Sequence, residues 1–177
     1  YRAAETVQAG ATHAPIPAKA TEKALQRLDH IRQAKGKSTT AEVRLQMQHA
    51  MQRHAAVFRS SQSLTEGVEK MDNVSAGMQD IGVQDQSLIW NTDLIEALEL
   101  DNLMSQALVT MRSAEHRTES RGAHAHEDFP DSDDKDWMKH TVMWLDENNK
   151  SRIDHRSVIL NTLTNEVESI PPVARVY

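Results

Sequence analysis

The 177-residue sequence contains no cysteine. It therefore has no disulfide framework, no thiol nucleophile and no cysteine-based zinc site, which is compatible with a reducing compartment. Aromatic residues make up only 4% of the chain, and there are six glycines and five prolines. This composition favours helices over a β-sandwich, whose strands are usually rich in aromatic and β-branched residues. Aliphatic side chains and the eight methionines must therefore fill the core.

Long apolar runs and runs of basic residues are also missing. No stretch approaches the roughly 20 apolar residues that span a bilayer, and no signal-peptide pattern is present. The 20 basic residues are scattered among 26 acidic ones, which excludes the electrostatic footprint of a nucleic-acid binder. We therefore expect no nucleic-acid partner and no direct membrane insertion. Because the first residue is Tyr1 rather than Met, we also expect a processed chain or a part of a longer one.

Residues 19–120 carry the periodicity of helices. Residues 1–18 are small, polar and interrupted by prolines, which indicates an extended lead-in. Apolar residues then recur at spacings of three and four. They predict four helices: about 19–34, from Thr39 onward, from Ser63 to about Gly82, and from about Asn91 to Glu119. The last is apolar over a wide face, as expected of a helix between two others, so a three-helix bundle within residues 19–120 is predicted.

Helix boundaries are predicted from local signals. Thr39 with Glu42, and Ser63 with Glu66, have the spacing of a capping box, in which each side chain satisfies a backbone N–H of the other residue. Glycines at positions 36 and 82 are placed to end the helices that precede them.

The pattern changes after residue 120. A polar loop of nearly twenty residues precedes two segments at about 139–145 and 151–159, which flank a Glu-Asn-Asn-Lys turn and predict a β-hairpin. The tail is extended by Pro171 and Pro172. The predicted fold is therefore mainly α, with a helical bundle followed by a small hairpin-containing tail. Residues 121–177 are predicted to pack on the bundle and form one C-terminal domain with it.

The polar loop contains the candidate metal ligands. His124 and His126 would share one face of a strand, but no third ligand is fixed by spacing, so we predict no metal site. A calcium loop starting at Asp131 fails, because Asp136 replaces the required glycine and Val142 the required glutamate. A solvated acidic turn, with an Asp or Ser capping a short helical turn near Trp137, is the preferred interpretation.

No catalytic residue is predicted anywhere. His54 lies on an apolar helix face without a nucleophile beside it, which is typical of a core residue, and no phosphate-binding glycine motif is present. What remains is a charged string in the long loop, and long loops in compact domains are commonly functional. We interpret the string as a contact surface; its members are Glu119, Arg121, His124, Glu127 and Asp128.

Five ordered blocks of sequence together resemble one family. They are AEVRLQMQHAMQRHAAVFR (41–59), WNTDLIEALELDNLM (90–104), ESRGAHAHEDFP (119–130), KHTVMW (139–144) and PPVARVY (171–177). They resemble the C-terminal region of succinate dehydrogenase flavoprotein subunits, and the resemblance covers about residues 15–177. Fumarate reductases and L-aspartate oxidases share the ESRG-x-H motif and are the alternative within the same family.

The resemblance implies a parent subunit that oxidises succinate to fumarate and passes electrons from FAD to an iron–sulfur subunit and then to quinone. It implies a spectrin-repeat-like helical bundle, in agreement with the periodicity. The family's FAD-binding and dicarboxylate-binding motifs have no matching positions here, so we expect no cofactor in this chain and FAD in the parent subunit. Arg121 and His124 would then be docking residues toward the FAD-binding domain of the same subunit, with Glu119 and Asp128 as their candidate partners.

The resemblance also implies a location and leaves rival functions open. Such a complex would lie on the cytoplasmic side of a bacterial inner membrane, or on the matrix side in mitochondria, held there by iron–sulfur and membrane-anchor subunits. The rivals are a free-standing helical module that binds another protein, and a metal hydrolase built on His124 and His126.

Overall fold

A computed structural model describes residues 7, 10 and 12–173. The remaining residues of the predicted lead-in and the last four of the predicted tail lie outside the described residues. The described helices are α1 (Ala18–Arg32), α2 (Thr40–His54), α3 (Ser61–Ala76) and α4 (Thr92–His116), with a 3-10 turn at Gly77–Asp80 after α3. The described strands are β1 (Phe58–Arg59), parallel to β2 (Ala125–His126), and β3 (Lys139–Leu145), antiparallel to β4 (Ser151–Ser157).

The predicted bundle is confirmed. Helices α2, α3 and α4 pack against one another in pairs, while α1 lies on the outside of α4. The largest fully buried apolar side chains among the described residues lie in the bundle core, namely Leu64, Met71, Leu100, Leu108 and Met111. Full burial of such a side chain contributes roughly 1.5–3 kcal/mol. By contrast, α1 has one buried residue, Ile31, so the stability of the fold comes from the other three helices.

The centre of the bundle requires a close helix approach. A Cβ atom added at Gly67 would lie 2.6 Å from the Cβ of His54 and 2.7 Å from the sulfur of Met111. His54 is buried, and its Nδ1 lies 3.0 Å from the carbonyl oxygen of Ser63. It is therefore a hydrogen-bonded core residue, as predicted.

One of the two predicted capping boxes is correct. Thr39 Oγ1 accepts from the Glu42 N–H at 3.2 Å, and Glu42 Oε2 accepts from the Thr39 N–H at 2.9 Å. The box at Ser63 is wrong: the cap of α3 is Ser60, whose hydroxyl accepts from the Ser63 N–H at 3.2 Å. Strand β1 leads directly into Ser60 and leaves it extended, which is the conformation of an N-cap residue.

The predicted roles of two glycines are also wrong. Helix α3 ends at Ala76, and its C-cap is Gly77 rather than Gly82. Gly36 and Gly82 instead form a crossing between the segment after α1 and the segment after α3, where the Gly36 N–H donates to the Ile81 carbonyl at 2.9 Å. A Cβ at Gly36 would lie 1.9 Å from the Asp80 oxygen, and one at Gly82 would lie 2.4 Å from the Gly36 oxygen. Close backbone approach, not helix termination, requires these glycines.

Helix α4 spans its 25 residues, or about 37 Å. It begins at the predicted place, where Asn91 Oδ1 accepts from the Leu94 N–H at 2.8 Å. It ends at His116, earlier than predicted, because Arg117 takes an extended conformation. The loop before α4 exposes three large side chains, and Trp90 among them is 95% exposed with a φ of 54°.

The predicted hairpin is confirmed at 139–145 and 151–157. Asp146 Oδ1 closes its turn by accepting from the N–H groups of Asn148 and Lys150 at 2.8 and 2.9 Å. Strand β3 packs along α4.

The division of the chain at residues 18 and 120 stays a prediction. Within the described residues, no helix combines the length and the apolar character that crossing a membrane requires.

Candidate functional site

A fully buried carboxylate organises the polar loop. Glu119 has no exposed surface, and Arg121 binds it in a fork, with Nε at 2.9 Å from Oε1 and Nη2 at 2.9 Å from Oε2. The Asp133 N–H donates to Oε2 at 2.8 Å, and Arg117 Nη2 lies 3.3 Å from Oε1. Arg121 also donates to Asp134 at 2.6 Å. Hydrogen bonds from Arg121 to Glu119 and then to Asp134 raise the pKa of Arg121, so the loop is fixed around one charged centre.

His124 lies between two arginines in a defined tautomer. Its Nδ1 is 2.8 Å from Nη1 of Arg59, and its Nε2 is 3.0 Å from the carbonyl oxygen of Arg117. A guanidinium only donates, so Nδ1 accepts and Nε2 carries the proton. Burial lowers the pKa of His124, the hydrogen bond to Arg117 opposes this, and the charge of Arg59 lowers the pKa further. His124 is therefore a neutral structural link.

The residues Arg121 to His124 form a tight two-residue turn. The Arg121 N–H donates to the His124 carbonyl at 2.9 Å, and the His124 N–H donates back at 3.0 Å. Gly122 is the first central residue and has a φ of 60°, which a glycine adopts without steric cost. Gly122 and Ala123 are both exposed, so the turn projects from the surface as a rigid tip.

Asp128 joins the loop to the start of α3. Its Oδ2 accepts from the Ser61 N–H at 2.8 Å, one of the N–H groups that a helix leaves unpaired in its first turn. This hydrogen bond lowers the pKa of Asp128. The Glu127 N–H donates to the Arg59 carbonyl at 2.7 Å, beside the parallel pairing of β1 with β2. The loop is thus attached to the junction between α2 and α3.

The structure brings the predicted string together but gives most of its polar groups internal partners. Glu119, Arg121 and His124 belong to one hydrogen-bonded network, and Asp128 caps α3. Glu127 is exposed and contributes its backbone. Sequence reasoning missed Arg59, which reaches His124 from 65 residues away, because no local spacing signals such a contact.

The predicted acidic turn is confirmed. Asp133 Oδ1 accepts from the N–H groups of Lys135 and Asp136 at 2.9 and 3.0 Å. His126 is 2% exposed, and its Nδ1 accepts from the Asp128 N–H at 3.3 Å. Across the described part of the chain, no three His, Asp or Glu side chains are grouped so as to hold a metal ion.

Three exposed apolar side chains lie in the loop, in strand β1 or directly before β1. Val57 is 67%, Phe58 73% and Phe129 39% exposed. A cavity of about 680 Å³ lies between Phe58 and the 120–132 segment, and Val173 of the tail lines it as well. The site therefore combines a hydrogen-bonded polar frame with an open cavity and exposed apolar side chains.

Sequence comparison assigns the chain to a family. A family model described as "Fumarate reductase flavoprotein C-term" matches residues 44–177. The succinate dehydrogenase flavoprotein subunit of Rickettsia bellii (strain RML369-C) is 51% identical over 99% of this chain. The chain belongs to the succinate dehydrogenase and fumarate reductase flavoprotein family.

Other relatives agree with this family and define the extent of the match. The mitochondrial succinate dehydrogenase [ubiquinone] flavoprotein subunit of Oryza sativa subsp. japonica is 49% identical over 99% of the chain. A structure of E. coli quinol fumarate reductase superposes with a TM-score of 0.80 at 28% identity, covering 88% of this chain and 27% of that one. The chain spans about 30% of the length of the Rickettsia subunit and 28% of the rice subunit.

Proposed function

We propose that this chain is the C-terminal helical domain of a succinate dehydrogenase flavoprotein subunit and acts by docking the flavin domain. The main observation behind this proposal is the 51% identity to such a subunit. The match covers 99% of this chain but only 30% of the relative. The parent subunit would oxidise succinate to fumarate and transfer the electrons through FAD to an iron–sulfur subunit and quinone. It would be held at the bacterial inner membrane, or on the mitochondrial matrix side, by its partner subunits.

FAD is assigned to the rest of the parent subunit. In the described part of the loop, the side chains of Glu119, Arg121, His124 and Asp128 are bonded to other groups of this chain. They do not form a donor set directed at an outside ligand. We therefore assign no residue here to the flavin or to the dicarboxylate, and the chain alone is proposed to be inactive.

The internal hydrogen bonds of Arg121 and His124 change the role that we propose for them in docking. Arg121 and His124 are occupied internally, so their role is to hold the Gly122–Ala123 tip and the exposed apolar side chains in a fixed position. The flavin domain would contact that tip together with Val57 and Phe58, which are 67% and 73% exposed. A preorganised surface loses little conformational entropy on binding.

The docking proposal is tested in the complete subunit. Arg121→Ala should reduce flavin content and succinate oxidation, while circular dichroism of the isolated 177-residue chain retains its helical signal. Phe58→Ser should have the same effect without touching the polar network. Arg156→Ala, an exposed change in β4, is the matched control and should leave both measurements unchanged. Unaltered flavin content and turnover in the Arg121 and Phe58 variants would disprove the docking role.

Fumarate reductase is the second candidate for the parent enzyme. The fumarate reductase flavoprotein subunit of Haemophilus influenzae is 28% identical over the full chain, compared with 51% for the Rickettsia succinate dehydrogenase subunit, and this difference favours succinate oxidation. Rates of dye reduction by succinate and of fumarate reduction by a low-potential donor, measured on the complete complex, distinguish the two. An L-aspartate oxidase would instead oxidise aspartate, and a free-standing module would show none of these activities in its native complex.

A further inference from the structure

A second cavity lies on the other side of the Arg59–His124 contact. It has a volume of about 520 Å³ and is bounded by the C-terminal half of α4, by β3 and by the turn. Every ionisable side chain that lines it, among the residues that the structure describes, is basic: Arg59, Arg117, Arg121, His124, Lys139 and His140. The whole chain has a net charge of −6, so this cavity is a positively charged region on a negatively charged chain.

Acidic side chains of this chain neutralise only part of the positive charge of the cavity. Arg117 and Arg121 share the buried Glu119, and Arg121 also pairs with Asp134. Arg59 is bonded to uncharged acceptors: the carbonyl oxygens of residues 55 and 56 and the ring of His124.

Lys139, like Arg59, is a cation of the cavity lining that has no acidic partner among the described residues. Its Nζ lies 4.8 Å from the ring centroid of Trp137, which also contacts the Arg117 guanidinium at 5.1 Å. A cation–π contact at a partly exposed site is a weak interaction. No described carboxylate forms an ion pair with Lys139, so its ammonium group remains able to bind an anion.

Apolar residues complete the lining of the cavity. They are Val109, Trp137 and Val158, and the Trp137 ring contacts both the Lys139 ammonium and the Arg117 guanidinium.

Burial is the main cause of two lowered histidine pKa values in this region, and neighbouring cations add to it. Burial and then the charges of Arg59, His126 and Arg117 lower the pKa of His124, which lines the cavity, against the opposing hydrogen bond to the Arg117 carbonyl. Burial, and then the charges of Lys139 and His116, lower the pKa of His155, whose ring centroid lies 5.9 Å from that of Trp137.

We propose that this cavity binds an oxyanion, a carboxylate or phosphate group, with Lys139 as its ion-pair partner. The volume lies within the range of about 300–1,000 Å³ that is usual for small-molecule sites. The same carboxylate chemistry has two sources: a small anion in solution, or an acidic side chain of the neighbouring part of the parent subunit. The inference does not depend on the docking role of the 121–124 turn.

Fluorescence of Trp137 gives a direct test. In the 177-residue chain with Trp90→Phe and Trp144→Phe, inorganic phosphate and succinate are titrated at constant ionic strength maintained with sodium chloride. We expect a saturable change in Trp137 emission, since Lys139 would move from the ring toward the anion. Lys139→Gln should weaken binding at least tenfold, while Lys150→Gln in the hairpin turn should bind like the parent chain.

The outcomes separate the proposal from its alternatives. Absence of a saturable change for both probes, or equal affinity in the Lys139→Gln chain with an intact helical circular dichroism signal, would overturn it. Repeating the titration in the complete subunit identifies the source. Retained phosphate or succinate binding there indicates a free anion. Loss of binding there, with retention in the isolated chain, indicates an acidic side chain of the parent subunit.

Discussion

Glu119 combines a full negative charge with a complete lack of exposed surface, and its neutralisation depends on Arg117 and Arg121. Glu119→Gln would keep the shape of the side chain but leave both guanidiniums without their shared carboxylate. We expect the free energy of unfolding to fall by about 2–4 kcal/mol. The lower end of this range applies because both arginines are partly exposed, so solvent screens part of their charge. Urea denaturation measures this change. Glu127→Gln, an exposed change in the same loop, should alter stability by less than about 0.5 kcal/mol.

His124 predicts a pH dependence of stability with a defined sign. Its folded-state pKa lies below the ordinary value of 6.5, so between the two values the unfolded chain binds more protons than the folded one. The contribution of His124 is therefore fully present above pH 6.5 and is lost as the pH falls from 6.5 through the lower folded-state pKa. We expect stability to be lower at pH 5.5 than at pH 7.5. His124→Gln should reduce that difference, whereas the exposed change His140→Gln should preserve it.

Trp90 is a strained residue that the packing does not require. A bulky side chain at a φ of 54° is unfavourable by about 1–2 kcal/mol relative to glycine, and 95% of the residue is exposed. Glycine loses about 0.5–1 kcal/mol more conformational entropy on folding, so Trp90→Gly should be neutral to slightly stabilising in thermal unfolding. Trp144→Gly, which removes a strand residue stacked with Arg152 at 4.0 Å, should instead be destabilising.

At the scale of secondary-structure elements, the start of α3 distinguishes two serines. Ser60 accepts from a first-turn N–H, and Ser60→Ala should lower stability by about 1 kcal/mol. Ser63→Ala removes a hydroxyl that does not cap the helix, so its effect should be within about 0.5 kcal/mol. Chemical denaturation of the two variants decides between the observed cap and the capping box that the sequence suggests. A larger loss at Ser63 would contradict the assignment.

The elements themselves could be predicted because their signals are local. The helices, the Thr39 cap, the Asn91 start of α4 and the hairpin all follow from periodicity and turn residues within a few positions. The errors occur where two local signals compete or where a distant segment decides. Several serines near the start of α3 compete for one cap, and Gly82 looks like a helix terminator until the Gly36 backbone is known to cross it.

At the scale of the whole molecule, the sequence identified the polar loop but not the hydrogen-bond partners of its residues. Its charge density and the ESRG-x-H motif led to Glu119, Arg121, His124 and Asp128. Their partners Arg59 and Ser61 come from the junction of α2 and α3, and only the folded bundle brings that junction to the loop. The loop therefore depends on the bundle for its shape, and the proposed docking surface and the basic cavity both arise only in the folded chain.

The crossing of Gly36 and Gly82 has a consequence for how this sequence can diverge. Each missing Cβ leaves room for the backbone of the other segment, with distances of 1.9 and 2.4 Å to the nearest oxygens if it were added. Every missense change in a glycine codon introduces a residue that has a Cβ. Lineages that keep this crossing are therefore expected to accumulate only synonymous substitutions at these two codons.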